Sequence, residues 1–169
     1  MPTSAPDRLS DTYRDWGPRL MAYALLLCGS RSSAEEALQN LFAHLARSPA
    51  LLAGARDPGA YLFVSLRRHA LDLREREQKA WRKVSRNPQD FLRPVPEKGL
   101  SEEDCREIEA AVAALPEEHR EVVMLRIWAG LGWPEIAEVT GGNVRTLESR
   151  YRAALETLRG RLKGSRERI

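Results

Sequence analysis

Apolar residues recur at spacings of three and four along most of the chain, the mark of amphipathic helices, and the pattern breaks where proline and glycine cluster. Leu9 to Cys28 repeats in this way, with Gly17 and Pro18 inside it, so the helix either begins at Pro18 or carries a kink there. A second helix is predicted from Ser33, an N-cap candidate with Glu36 three residues on, and Leu38, Leu41, Phe42 and Leu45 form its apolar face. Arg47 to Gly59 reads as a loop of small residues, Pro and Gly. A long helix follows from about Pro58, through Tyr61, Leu62, Val64, Leu66, Leu71 and Leu73, into basic residues. Ser85 to Gly99 holds three prolines and no apolar period. From Ser101 to about Lys163 four helical segments are expected, broken at Pro116, at Gly130 to Trp133 and at Gly141 with Gly142. The fold class is all-α: two small helical domains, residues 1–84 and 101–169, joined by a flexible linker at 85–100.

The stretch WPEIAEVTGGNVRTLESRYRAAL, Trp133 to Leu155, pinches two amphipathic patterns around a glycine pair. Ile136, Ala137 and Val139 give the first a buried stripe, and Asn143 is a natural N-cap for the second. Val144, Leu147, Tyr151, Ala154, Leu158 and Leu162 then fall on one inward face, leaving Arg145, Glu148, Ser149 and Arg152 on the other. The residues admit an ordinary helical hairpin or a helix-turn-helix whose second helix enters the major groove.

Charge narrows that choice. The formal net charge of the 169 residues is only +3, but it is unevenly distributed. Arg67 to Arg86 carries eight Arg/Lys against three acids, Asn143 to Ile169 again eight against three, and Glu97 to Glu121 nine acids against three bases. Two basic blocks flanking an acidic one suggest two contact surfaces for a polyanion. The longest apolar run, near Met21 to Cys28, is far short of a membrane span, and no secretory leader is read at the start, so a cytoplasmic protein without membrane insertion is expected. Cys28 and Cys105 have no close spacing and read as buried or idle thiols. His44, His69 and His119 are far apart in sequence, so no catalytic residue, metal or cofactor is expected. A stand-alone helix-turn-helix repressor would need a long apolar dimerisation seam, and none is read here.

ALPEEHREVVMLRIWAGLGWPEIAEVTGGNVRTLESRYRAALETLR resembles sigma region four, the upstream-element-binding domain of the extracytoplasmic-function group of bacterial RNA polymerase sigma factors. EEALQNLFAHL resembles that family's polymerase-docking helix, and DPGAYLFVSLRRHALDLRER its helix for opening the near promoter element. The resemblance implies no bond chemistry. It implies a subunit that binds core polymerase, at the clamp helices of the largest subunit and the flap of the second-largest, and holds promoter DNA open. It also admits an anti-sigma factor as a partner.

Carried over residue by residue, the resemblance puts Glu35, Glu36, Gln39 and Asn40 on the polymerase-docking face, with Asn40 standing where an acid is usual. Arg67, Arg68, Arg74, Lys79, Trp81, Arg82 and Lys83 would grip the melted minus-ten element beside the base-capturing loop Ser48 to Arg56. Arg68 replaces an asparagine common in the family; Asp72 either fits the family pattern or pairs with Arg68 or Arg76; Trp81 either stacks on bases or caps the core. The minus-thirty-five element would be met by Arg145, Thr146, Glu148, Ser149, Arg150 and Arg152. Glu148 stands where a basic residue is common, and either accepts from a cytosine amino group or pairs with Arg152.

Overall fold

The computed structural model describes residues 5–80 and 101–166, and every regular element among them is helical. α1 (Ala5–Cys28), α2 (Arg31–Arg47), α3 (Pro49–Ala53) and α4 (Pro58–Ala80) build the first domain. The second holds α5 (Glu102–Ala113), α6 (Glu117–Val123), a π-helical turn (Met124–Trp128), α7 (Trp133–Thr140) and α8 (Val144–Arg166). The segment expected to link them, together with Trp81, Arg82 and Lys83, lies outside the described residues.

Local chemistry sets the helix ends. α1 is continuous from Ala5 to Cys28 with Pro18 inside it, so the helix does not begin at the proline. α2 begins earlier than its sequence suggests: Ser30 is the N-cap, its hydroxyl accepting from the Ser33 amide at 3.2 Å. Ser33 is instead buried in the first turn, where its hydroxyl donates to Glu77 of α4. Two serines three residues apart offer the same signal, and Ser33 is taken up by a tertiary contact. The region expected to be a loop contains α3, with Pro49 at its first position, where a missing amide hydrogen is harmless. Asp57 opens α4 by accepting from the Ala60 amide at 2.9 Å. Ser101 and Asp104 form a reciprocal capping box at the start of α5.

In the first domain α1, α2 and α4 pack pairwise around Leu20, Tyr23, Leu41, Leu45, Leu62, Phe63 and Leu66. Phe63 is the hub: Tyr23 tilts against it with ring centroids 5.4 Å apart, and Trp16 meets it edge-on at 6.2 Å. Beside these rings the α4 backbone comes close to α1 at Gly59, where an added Cβ would stand 2.7 Å from the Trp16 ring. Gly59→Ala should therefore lower the melting temperature. A helix favours alanine over glycine by about 0.5–1 kcal/mol, but overpacking costs about 1–3 kcal/mol. A variant that melts higher than the parent would mean that the indole gives way freely.

The apolar core does not stop at the domain boundary. Val122, Met124, Leu125, Leu131, Ile136, Val139 and Leu147 belong to the same contiguous buried cluster as the first domain's residues, with α4 packed on α7 and α1 against the π-turn. Leu115, Val123 and Ala154 form a small separate cluster under α8. Both cysteines are buried, and neither is in a disulfide.

Candidate nucleic-acid interface

α7 and α8 make the helix-turn-helix. α7 ends on Gly141, whose φ of 70° is left-handed backbone that a side chain would strain. The chain then reverses, and Asn143 caps α8 by accepting from the Arg145 amide at 2.9 Å. Leu147 and Ala154 are fully buried, while Tyr151, Leu158 and Leu162 are half-buried. Val144, expected to face inward, is exposed because it lies in the first turn, ahead of the packing surface.

The opposite face of α8 is open. Arg145, Thr146, Glu148, Ser149 and Arg152 are all exposed. Arg150 differs: it is half-buried and pairs with Glu118 of α6 at 2.6 Å, so it braces α8 against its own domain. Among the described residues no ion pair joins Glu148 to Arg152, although both line a groove of about 410 Å³ floored by Trp133 and Tyr151. Those two rings meet edge-on at 5.5 Å, and the Arg126 guanidinium lies 5.0 Å from the Trp133 ring centre while donating to the Leu131 carbonyl at 2.7 Å. Arg126 thus fixes the entry to the helix-turn-helix, a part that the charge pattern alone did not distinguish.

On the first domain Glu36, Gln39 and Asn40 form an exposed strip of α2, and Glu35 is half-buried and bound to Arg31 at 2.7 Å. His44 and His69, remote in sequence, meet across α2 and α4 with ring centroids 6.3 Å apart in a groove of about 250 Å³ rimmed by Asn40. Burial first, then the neighbouring His44 and Arg68, hold His69 below its ordinary pKa, with Asp72 opposing. Among the described residues no group of three His, Cys, Asp or Glu side chains is placed to hold a metal ion.

Three of the α4 cations expected to grip the melted strand have described side chains, and they differ sharply. Arg68 is exposed. Arg67 donates from Nε to Glu121 at 2.9 Å, and Arg74 is paired with Glu117, both partners lying on α6 of the other domain. Tyr23 donates to the same Glu121 oxygen at 2.7 Å. Burial, reinforced by the Glu121 charge, raises the Tyr23 pKa well above its ordinary value. Burial works against the Arg67 charge, but the hydrogen bond and charge of Glu121 raise its pKa overall. Lys79 lies on α4, but its side chain is outside the described set.

Residues 12–82 match the family model for sigma-70 region 2, and residues 105–158 match that for sigma-70 region 4. The structure resembles the sigma factor RpoE in its complex with the anti-sigma factor NepR from Bartonella quintana, with a TM-score of 0.68 and 22% identity over 90% of this chain and 97% of that one. It also resembles CnrH in complex with the cytosolic domain of CnrY, with a TM-score of 0.58 and 18% identity over 92% of this chain and 88% of that one. No curated protein matches the sequence.

Proposed function

This chain belongs to the sigma-70 family of RNA polymerase sigma factors, with the two-region organisation of the extracytoplasmic-function group, and on that premise we propose how its residues divide the work. A sigma factor of this kind binds core polymerase and promoter DNA and directs promoter-specific initiation. We assign polymerase docking to the exposed strip Glu36, Gln39 and Asn40 with Glu35 beside it, against the clamp helices of the largest subunit. The flap of the second-largest subunit is the partner of the second domain.

Arg67, Arg68 and Arg74, continued by Lys79, Trp81, Arg82 and Lys83, are assigned to the melted minus-ten element, where cations hold backbone phosphates and a ring can stack on an exposed base. α8 enters the major groove at the minus-thirty-five element. Arg145 and Arg152 contact phosphates or guanine, Glu148 reads a base edge, and Thr146 and Ser149 line the same face. Arg150 supports that helix through Glu118. The observation that carries this reading is the capped helix α8 with a continuous exposed polar face, in the same chain as a region 2 domain.

RpoE of Bartonella quintana is held by an anti-sigma factor, and we propose a regulator of that class here. No helix among the described residues is long and apolar enough to cross a membrane, and we assign the protein to the cytoplasm and to no enzymatic activity. Run-off transcription tests the assignment. Added to bacterial core polymerase, the protein should give discrete transcripts from templates of its source genome, its own upstream region included. If core alone gives the same products on all of them, the assignment fails.

A further inference from the structure

The groove between α2 and α4 collects side chains that the sequence keeps apart: Asn40, His44 and Arg47 from one helix, and His69, Asp72 and Arg76 from the other. In each helix the three lie at spacings of three and four, on one face. Among the described residues no ion pair ties Arg47 or Arg76 to a carboxylate, although Asp72 stands four residues before Arg76. The lining therefore carries an excess of positive charge. His44 and His69 add their rings, with centroids 6.3 Å apart and planes inclined at 63°. Each imidazole has one N–H donor when neutral and two when charged. With no group of three metal-ligating side chains among the described residues, this donor set suits an anion rather than a cation. His44 and Arg47 also lie in the last turn of α2, where cations offset the helix dipole. That role does not require His69 and Arg76 to meet them from α4.

We propose that this groove binds a phosphate group in its dianionic form, as the free ion or as a small monoester, held by Arg47 and Arg76 with His44 and His69 as proton-linked donors. Its volume of about 250 Å³ admits a tetrahedral oxyanion, and an arginine fork can meet two phosphate oxygens at once. The Asn40 amide supplies a neutral donor at the rim. In the empty groove burial, then His44 and Arg68, hold His69 below its ordinary pKa, and Asp72 opposes them. A bound dianion outweighs that opposition and favours the charged imidazoles, so binding takes up protons. Affinity therefore rises as pH falls below neutrality, until the phosphate itself gains a proton near its second pKa of about 6. The site stands independently of the docking assignment, although Asn40 belongs to both.

The test is a histidine NMR titration of the full chain with pH, in inorganic phosphate and in chloride at equal ionic strength. His44 and His69 should titrate higher in phosphate by about one unit, the low end of what an opposite charge within about 4–6 Å produces. His119, on α6 of the other domain, is the internal control and should not move. A parallel titration with glycerol phosphate separates the sources: an equal shift supports a monoester as ligand, and a shift with inorganic phosphate alone supports the free ion. Arg47→Gln combined with Arg76→Gln, both at exposed positions, should abolish the difference between the two salts. Asp72→Asn, which removes the one like charge of the lining, should lower the phosphate concentration needed for half the shift. Circular dichroism checks that each variant keeps the parent's helix content. Identical titrations in both salts would overturn the proposal, as would a phosphate shift that survives in the arginine double variant or that His119 shares. A single-stranded oligodeoxynucleotide that shifts both histidines where phosphate does not would also overturn it, and would give the groove to nucleic acid instead.

Discussion

Truncating Phe63 to alanine should lower stability by about 3–5 kcal/mol, a large part of the roughly 5–15 kcal/mol that holds a domain folded. Phe63 is fully buried and is the ring on which both Tyr23 and Trp16 rest, so its removal leaves a cavity with three helices around it. Urea unfolding followed by tryptophan fluorescence measures the loss. Phe63→Leu, which keeps most of the volume, should lose much less. Because Phe63 also sets the height of α4 above α1, the alanine variant should weaken promoter opening at temperatures where it remains folded. A change below about 1 kcal/mol would mean that neighbouring side chains collapse into the space, and that the ring is not the hub of this core.

Exchanging Glu148 for lysine should change which base is preferred at one position of the upstream element, by about 1–3 kcal/mol or roughly 5- to 150-fold. A carboxylate accepts from the cytosine amino group, and an ammonium donates to the acceptors of guanine. Glu148 is exposed on the open face of α8 and is not tied to Arg152 by an ion pair, so its charge is free to face DNA. Selection from randomised promoters by the two proteins gives the answer. If both recover the same element and the lysine variant merely binds every sequence more tightly, Glu148 acts on backbone electrostatics and reads no base.

The helices themselves were legible because local rules govern them. Periodicity gave α2, α4 and α8, and Pro116 and the glycine pair fell at real breaks. Asn143 was legible as a cap because a short polar side chain ahead of an apolar repeat has few other uses. Other features depended on partners far along the chain. Ser33 lost the capping role to Ser30 once Glu77 claimed its hydroxyl, and the clustering of Pro49, Ala50, Ala53 and Gly54 hid the turn of α3. His44 and His69 came together through helix packing that no spacing encodes. The acidic block was visible as charge, but its pairing with Arg67 and Arg74 depends on the angle at which the two domains meet. Nothing in a linear pattern states that angle.

The π-turn has its own consequence. Its Ala129 amide bonds to the carbonyl of Met124, five residues back, so the turn accommodates one residue more than an α-helical turn would. That extra residue acts as a phase shifter, rotating the chain beyond it by about 100° relative to an unbroken helix. The rod can therefore show Glu117 and Glu121 to one neighbour while Arg126 and Trp128 serve another, with Ile127 left half-exposed at the bulge. A relative lacking one residue at this point would have to surrender one of those two alignments, which makes the length of the Met124–Trp128 segment, more than its composition, the quantity under constraint.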